Sequence, residues 1–288
     1  GAGRARMSPQ VAPLDKPALW PVDMPLVPRP GGPMWLGVAG KGGSGKSVLS
    51  GTLARILARR GHRVLAIDTD PMPGMAHSLG VAEPDQPLLM QAACKPEKGP
   101  WRLKSGIGPV TAVRRYTTPA PDGVRLMQLG KADKDGLTAV TGSVNAFLQL
   151  VRRMHEAPSL YEWAIVGDLA AGPRQPAAGF SPYARLYVVV VEPTSQSAMT
   201  GRRCARIARG PLGADVIFVA SKVAGAGERR RVERLLGEPV DLEIPADQAV
   251  RDAERRQVAV LDAAPDSPVV QAVQQLADII EQRRVGWE

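Results

Sequence analysis

Apolar positions first fall into a pattern at residues 34–39, a short run that fits a buried strand. A helix is predicted over 46–60, with Leu49, Leu53, Ile56 and Leu57 on one face. Gly61 closes it, and 63–68 reads as a second buried strand, Val-Leu-Ala-Ile ending in an acid. Further apolar runs at 124–129, 163–168, 186–191, 216–220 and 240–244 predict more strands. Helical spacing fills 137–156, 194–209, 226–236, 246–256 and 267–283. Strands alternating with helices predict an α/β fold, a single three-layer domain with a mostly parallel twisted sheet flanked by helices. Residues 81–122 are rich in Pro and Gly and show no clean period, and no internal repeat is visible.

Ahead of residue 34 the pattern is different. Pro9, Pro13, Pro17, Pro21, Pro25, Pro28, Pro30 and Pro33 forbid a helix, so 1–33 reads as an extended arm. The domain is then expected over 34–284, with a short tail at 285–288. Residues 1–6 read in part as a cloning remnant ahead of a natural start at Met7.

Composition changes this picture in a few places. A chain of 288 residues with 44% hydrophobic content can bury a sizeable core. No apolar run approaches the ~18 residues that span a bilayer, and no apolar segment follows the basic start as in a secretory signal. The two cysteines, Cys94 and Cys204, lie far apart and do not make a disulfide framework, so a cytoplasmic location is expected. The formal charge of +9 leaves two readings open: a solvated Arg-rich surface, or attraction to nucleic acid or another polyanion.

The sharpest chemistry follows the first strand. Gly40-Lys41-Gly42-Gly43-Ser44-Gly45-Lys46-Ser47 fits the pattern G-x-x-x-x-G-K-[ST] of a phosphate-binding loop. Glycines let backbone N–H groups converge on phosphate oxygens, and the helix that starts at Lys46, Ser47 and Val48 adds partial positive charge. Lys46 is expected on the β- and γ-phosphates, and the Ser47 hydroxyl on Mg²⁺. ATP or ADP with Mg²⁺ is therefore the expected ligand. Asp168 closes an apolar strand, a costly place for an acid unless it binds something.

With Lys41, the loop reads Lys-Gly-Gly-x-Gly-Lys-Ser and resembles the deviant Walker A motif of the partition, septum-site and nitrogenase-iron-protein superfamily of P-loop ATPases. The resemblance covers roughly 34–283. It implies an ATP-dependent homodimer in which Lys41 reaches the partner's phosphates, making Lys41, Lys46, Asp70 and Asp168 the catalytic set. Asp68-Thr69-Asp70-Pro71 matches a first switch, with Asp70 positioning water or metal and Asp68 near Mg²⁺. Trp163 to Asp168 matches a Walker B strand that puts Asp168 in the Mg²⁺ shell, and Ala171-Gly172 a second switch offering backbone to the γ-phosphate. Pro245 and Asp247 resemble the family's loop against adenine.

Within that superfamily the chain is most similar to the ATPases that mature nickel-containing carbon monoxide dehydrogenase. The carriers are the first switch, Leu129-Gly130-Lys131, Asp168-x-x-Ala171-Gly172, Val191-Glu192-Pro193-Thr194 and Ala264-Pro265-Asp266-Ser267-Pro268. It departs from them where they carry a Cys-x-Cys pair, because 136–140 reads Gly-Leu-Thr-Ala-Val. Nickel held by thiolates is thus not implied, and His77 and His155 are isolated. The missing pair also counts against an iron–sulfur reductase, and both cysteines read as unreactive thiols. Ser221-Lys222 stands where relatives often have Asn-Lys, and Met72, Pro73 and Gly74 replace polar residues of the first switch.

Three functions remain open on this reading. The first is a dimeric ATPase switch that assists assembly or loading of a client enzyme or complex. A partition or positioning ATPase would instead bind DNA non-specifically in its ATP state, through Arg202, Arg206, Arg209, Arg229, Arg230, Arg231, Arg234, Arg251, Arg255 and Arg256. The third is a nucleotide-binding scaffold with little turnover. A small-residue face, Ala198, Gly201, Ala205 and Ala208, is expected to lie close on the sheet.

Overall fold

The apolar runs of the sequence become strands of one sheet, and the polar-faced segments become the helices that cover it. The computed structural model describes residues 32–70, 74–82, 88–130 and 137–285. From the amino end come β1 (Trp35–Gly40), α1 (Lys46–Arg59), β2 (Arg63–Asp68), α2 (Met75–Leu79), β3 (Ala93–Cys94) and β4 (Arg102–Leu103). The middle holds α3 (Pro109–Arg115), β5 (Thr118–Pro119), β6 (Arg125–Gln128), α4 (Leu137–Val151), β7 (Trp163–Asp168) and α5 (Arg174–Ala177). Then follow β8 (Leu186–Val191), α6 (Ser195–Arg209), β9 (Asp215–Val223), α7 (Ala226–Leu236) and β10 (Leu242–Pro245). The last elements are α8 (Gln248–Arg255), α9 (Val260–Ala263) and α10 (Pro268–Val285).

Eight strands form one sheet in the order β10-β9-β8-β1-β7-β2-β6-β5. All neighbours are parallel except β5, which runs antiparallel to β6 at the edge. Alternation along β1 shows how two cores arise. Leu36 and Val38 join one core with Leu53 and Leu57 of α1 and with Leu276 and Ile280 of α10. Trp35 and Ala39 face the other, with Phe147 of α4 and Ala198 and Ala205 of α6. A strand buried on both faces needs a continuous apolar run, which is why these strands were legible in the sequence.

The small-residue face of α6 lies on the sheet as expected. A Cβ at Gly201 would sit 2.7 Å from Val191 Cγ2, so a larger residue would lift the helix. Thr194 caps α6, accepting from the Ser197 N–H at 3.2 Å, and Asp247 caps α8, accepting from the Ala249 N–H at 2.8 Å. Helix α8 therefore starts later than the 246 read from the sequence.

Other differences are local. The helix expected over 137–156 stops at Val151, and two 3-10 turns at Met154–Glu156 and Pro158–Leu160 carry the chain to β7. Strand β9 runs on past the expected 220 to Val223. The unreadable 81–122 holds a 3-10 turn at Leu88–Ala92, the β3–β4 hairpin, α3 and β5. No described helix is long and apolar enough to cross a membrane. The arm up to residue 31, the first-switch residues 71–73, Lys131, Gly136 and 286–288 lie outside the described residues.

Candidate functional site

The loop between β1 and α1 sits at the carboxyl end of the central strand, where an open α/β sheet offers a crevice. Gly40 packs so closely that a Cβ would meet the Val190 carbonyl oxygen at 2.5 Å. Gly45 has φ of 91°, in the left-handed region, and turns the chain into α1. Inside the loop the Ser44 N–H donates to the Lys41 carbonyl at 3.3 Å. The Lys46 ammonium, 6% exposed, donates to the same carbonyl at 3.1 Å. No hydrogen bond or ion pair engages the half-buried Lys41 ammonium among the described residues.

Strand β9 fastens the loop from the other side. Ser221 Oγ donates to the Ser44 carbonyl at 2.8 Å. Lys222, with φ of 57°, hydrogen-bonds the Gly43 carbonyl and pairs with Glu192 at 3.0 Å. Ser221 and Lys222 therefore buttress the phosphate loop. The sequence concealed this role because it depends on strands distant in the chain.

Two acids close the neighbouring strands. Asp68 and Asp168 are register partners on β2 and β7, each about 1% exposed. Burial pushes the Asp168 carboxyl up to about 7, and the nearby Asp68 charge adds to the shift. Burial likewise raises Asp68 to about 6, against the hydrogen bonds it accepts from Met75 and Asp70. The two oxygens of Asp68 take the Asp70 and Met75 N–H groups, both at 3.1 Å, which shapes the turn after β2. Asp168 Oδ1 takes the Ser50 hydroxyl at 3.4 Å, while the buried Oδ2 has no partner. An orphaned buried carboxylate oxygen near Ser47 and Lys46 is the environment a hard cation fits.

The segments after β2 and β7 are clasped by one side chain that the sequence reading missed. Gln175 on α5 accepts at Oε1 from the Thr69 hydroxyl at 2.5 Å and from the Ala170 N–H at 2.8 Å. Its Nε2 donates back to the Thr69 carbonyl at 2.8 Å. The Thr69 hydroxyl also lies 2.9 Å from the Asp168 carbonyl, so its single proton is shared. The Gly172 N–H donates to the Gly40 carbonyl at 3.0 Å, tying the segment after β7 to the phosphate loop. Gly74 packs on Ser47, 3.3 Å from its Oγ for an added Cβ, which brings the segment after β2 against the phosphate loop.

The remaining expected residues divide. Pro245 ends β10, an edge strand, at the same carboxyl end of the sheet as the loop. Both carboxylate oxygens of Asp247 are taken by backbone, Oδ1 by the Ala249 N–H and Oδ2 by the Val269 N–H at 3.1 Å. Cys204 is buried and its thiol is pushed up to about 11 by burial, and Cys94 is half-buried in β3; both are free. Among the described residues no group of His, Cys, Asp or Glu is placed to hold a metal by three or more ligands. Arg209 pairs with Glu238 at 2.7 Å, Arg229 with Glu233 at 3.3 Å, Arg255 with Asp252, and Arg202 bonds the Leu235 carbonyl.

Residues 36–260 match the model of the CobQ/CobB/MinD/ParA nucleotide binding domain, and the chain belongs to that family of P-loop ATPase domains. It is 30% identical over 252 residues to the carbon monoxide dehydrogenase accessory protein CooC of Rhodospirillum rubrum, covering 81% of this chain and 91% of that protein. An uncharacterised ATP-binding protein of Methanocaldococcus jannaschii is 27% identical over 248 residues, covering 84% of this chain and 85% of that one. The fold matches the cell division ATPase MinD of Pyrococcus furiosus with a TM-score of 0.67 at 21% identity, covering 86% of this chain and 98% of MinD. It also matches Pyrococcus horikoshii MinD, solved with Mg-ADP, with a TM-score of 0.66 at 18% identity over 86% and 96% of the two chains.

Proposed function

We propose that this protein binds and hydrolyses ATP, dimerises in its ATP state, and uses that switch to assist assembly or loading of a client enzyme or complex. The observation that carries the reading is the Gln175 clasp together with the Gly172–Gly40 bond, which joins both switch segments to each other and to the phosphate loop. A group arriving in the loop therefore acts on both at once. The 30% identity to a carbon monoxide dehydrogenase accessory protein supports a maturation role. The absent Cys-x-Cys pair argues that the cargo is not nickel held by thiolates.

In this mechanism the backbone amides from Gly42 to Ser47 hold phosphate oxygens, and Lys46 exchanges the Lys41 carbonyl for the β- and γ-phosphates. Ser47 and the orphaned Oδ2 of Asp168 would hold Mg²⁺, which supplies neutralising charge on the phosphates when bound. Asp68 orders the turn after β2 through the N–H groups its oxygens accept, and the lone pairs left over face the Mg²⁺ shell. Asp70 orients the attacking water. Gly172 would exchange the Gly40 carbonyl for the γ-phosphate edge of the loop, and Pro245 and Asp247 border the base through backbone. Lys41, with no partner among the described residues, crosses to the phosphates of a second copy.

Size-exclusion chromatography with light scattering tests the dimer: ATP should shift the wild type to twice its mass, and Lys41→Ala should stay monomeric. A Lys41→Ala protein that dimerises normally would remove the trans role. Phosphate release dependent on Mg²⁺ tests turnover, and its absence would leave a scaffold.

A second reading, a partition or positioning ATPase, is favoured by one observation. Arg206 on α6 and Arg230, Arg231 and Arg234 on α7 are exposed and make no ion pair among the described residues, and the two helices pack together. Gel shifts at two salt concentrations decide: ATP-stimulated, salt-sensitive DNA binding supports it, and none rejects it.

A further inference from the structure

Ser221 and Lys222 are consecutive residues of β9, yet both side chains reach the phosphate loop. In a regular strand neighbouring side chains point to opposite faces of the sheet. Here the backbone departs from that rule. Ile244 of β10 pairs with Ser221 and Pro245 with Val223, so Lys222 is an extra residue bulged out of a parallel ladder. Its φ of 57° lies in the left-handed region, which a lysine rarely adopts. Bulges re-aim side chains and gather beside functional sites, where strained backbone is also kept.

The two side chains hold the oxygens of two successive peptides. Lys222 donates to the Gly43 carbonyl, and Ser221 Oγ donates to the Ser44 carbonyl at 2.8 Å. A trans peptide is planar, with its N–H opposite its C=O. Drawing both carbonyls toward β9 therefore turns the Ser44 and Gly45 N–H groups the other way. The Ser44 N–H points into the loop, where it meets the Lys41 carbonyl at 3.3 Å, and the Lys46 ammonium donates to the same oxygen at 3.1 Å. A donor on the carbonyl side also polarises the peptide and strengthens its N–H. Glu192, just after β8, pairs with the Lys222 ammonium at 3.0 Å and keeps the long side chain in place.

We propose that Ser221 and Lys222 are positioning residues for the phosphates: the bulge in β9 sets the Ser44 and Gly45 amides as an anion-binding nest before the ligand arrives. The inference rests on the nucleotide-binding reading of the loop. It adds that affinity for the diphosphate group is set from β9, by side chains that grip loop backbone.

The test is calorimetric titration of the full chain with inorganic pyrophosphate and with Mg·ADP. Ser221→Ala and Lys222→Met should each weaken both probes about three- to tenfold, and Lys222→Arg should recover most of the lysine loss. Ser221→Ala changes no charge. The Lys222→Met loss should persist at about 0.5 M salt, where attraction through solvent is screened. Lys222→Gly should lose affinity as Lys222→Met does, yet its ligand-free melting temperature should not fall, because glycine relieves the left-handed strain. A merely structural lysine would lower both together. Wild-type affinity in both Ser221→Ala and Lys222→Met would overturn the proposal, as would a loss confined to Mg·ADP, which would put the contact at the base or ribose. A wild type that takes up neither probe would overturn the nucleotide reading as well.

Discussion

Asp68 and Asp168 lie side by side on adjacent strands, and burial raises both carboxyls, to about 6 and about 7. In the ligand-free protein a raised carboxylate pKa means the folded chain holds protons that the unfolded chain releases. This contribution to stability is therefore present at low pH and lost as pH rises toward about 7. The nucleotide-free protein should gain melting temperature from this pair on going from about pH 8 to pH 5, and Asp168→Asn should flatten that slope. Cation binding has the opposite sign, because it needs the charged carboxylate. Mg·ADP affinity should fall by up to about tenfold per pH unit below about 7, read by calorimetry, and a flat profile would contradict the Asp168 role. Asp168 was legible because an acid ending an apolar strand is costly without a partner. The Asp247 carboxylate caps α8, a role its position just before the helix also signals.

At the scale of elements, the short helix α5 matters beyond its length because it carries Gln175 between the segments that follow β2 and β7. Gln175→Leu leaves the Ala170 N–H and the Thr69 carbonyl without that partner, a stability loss of about 1–3 kcal/mol. ADP affinity should stay within a few-fold, since among the described residues Gln175 hydrogen-bonds Thr69 and Ala170 and not the phosphate loop. ATP turnover should fall about tenfold or more in kcat with little change in KM, because the clasp transmits rather than binds. Gln175→Glu keeps the acceptor and loses the donor, so partial recovery is expected; unchanged kcat in the Leu variant would reject the transmitting role. No sequence pattern exposed this residue, because a polar side chain in a four-residue helix carries no periodic signal. The same limit hid α2, α9 and the β3–β4 hairpin, whose burial is set by neighbours rather than by an amphipathic run. The long strands and helices were legible because each buries a continuous or periodic apolar surface on the sheet.

For the molecule as a whole, α1 carries the phosphate loop at one end and a buried charge at the other that joins distant parts of the chain. Arg55, 3% exposed, bonds Asp122 at 2.7 Å in the turn before β6 and Asp262 of α9 at 2.5 and 2.8 Å. Breaking a fully buried pair costs about 3–5 kcal/mol, but Asp122 and Asp262 keep 22% and 40% of their side-chain exposure, so water takes up part of the loss. Arg55→Met should therefore cost about 2–3 kcal/mol and lower the melting temperature by roughly 4–12 °C for a domain of this size. The loop itself keeps its own bonds, so Mg·ADP affinity should be unchanged. At a hundred times its Kd the nucleotide then adds about 2.7 kcal/mol to both proteins, and their difference in stability persists. Thermal melts with and without Mg·ADP separate the outcomes. A constant gap shows that the Arg55 cluster holds the fold independently of the site, whereas a gap that widens on adding nucleotide would show that the cluster also shapes the loop.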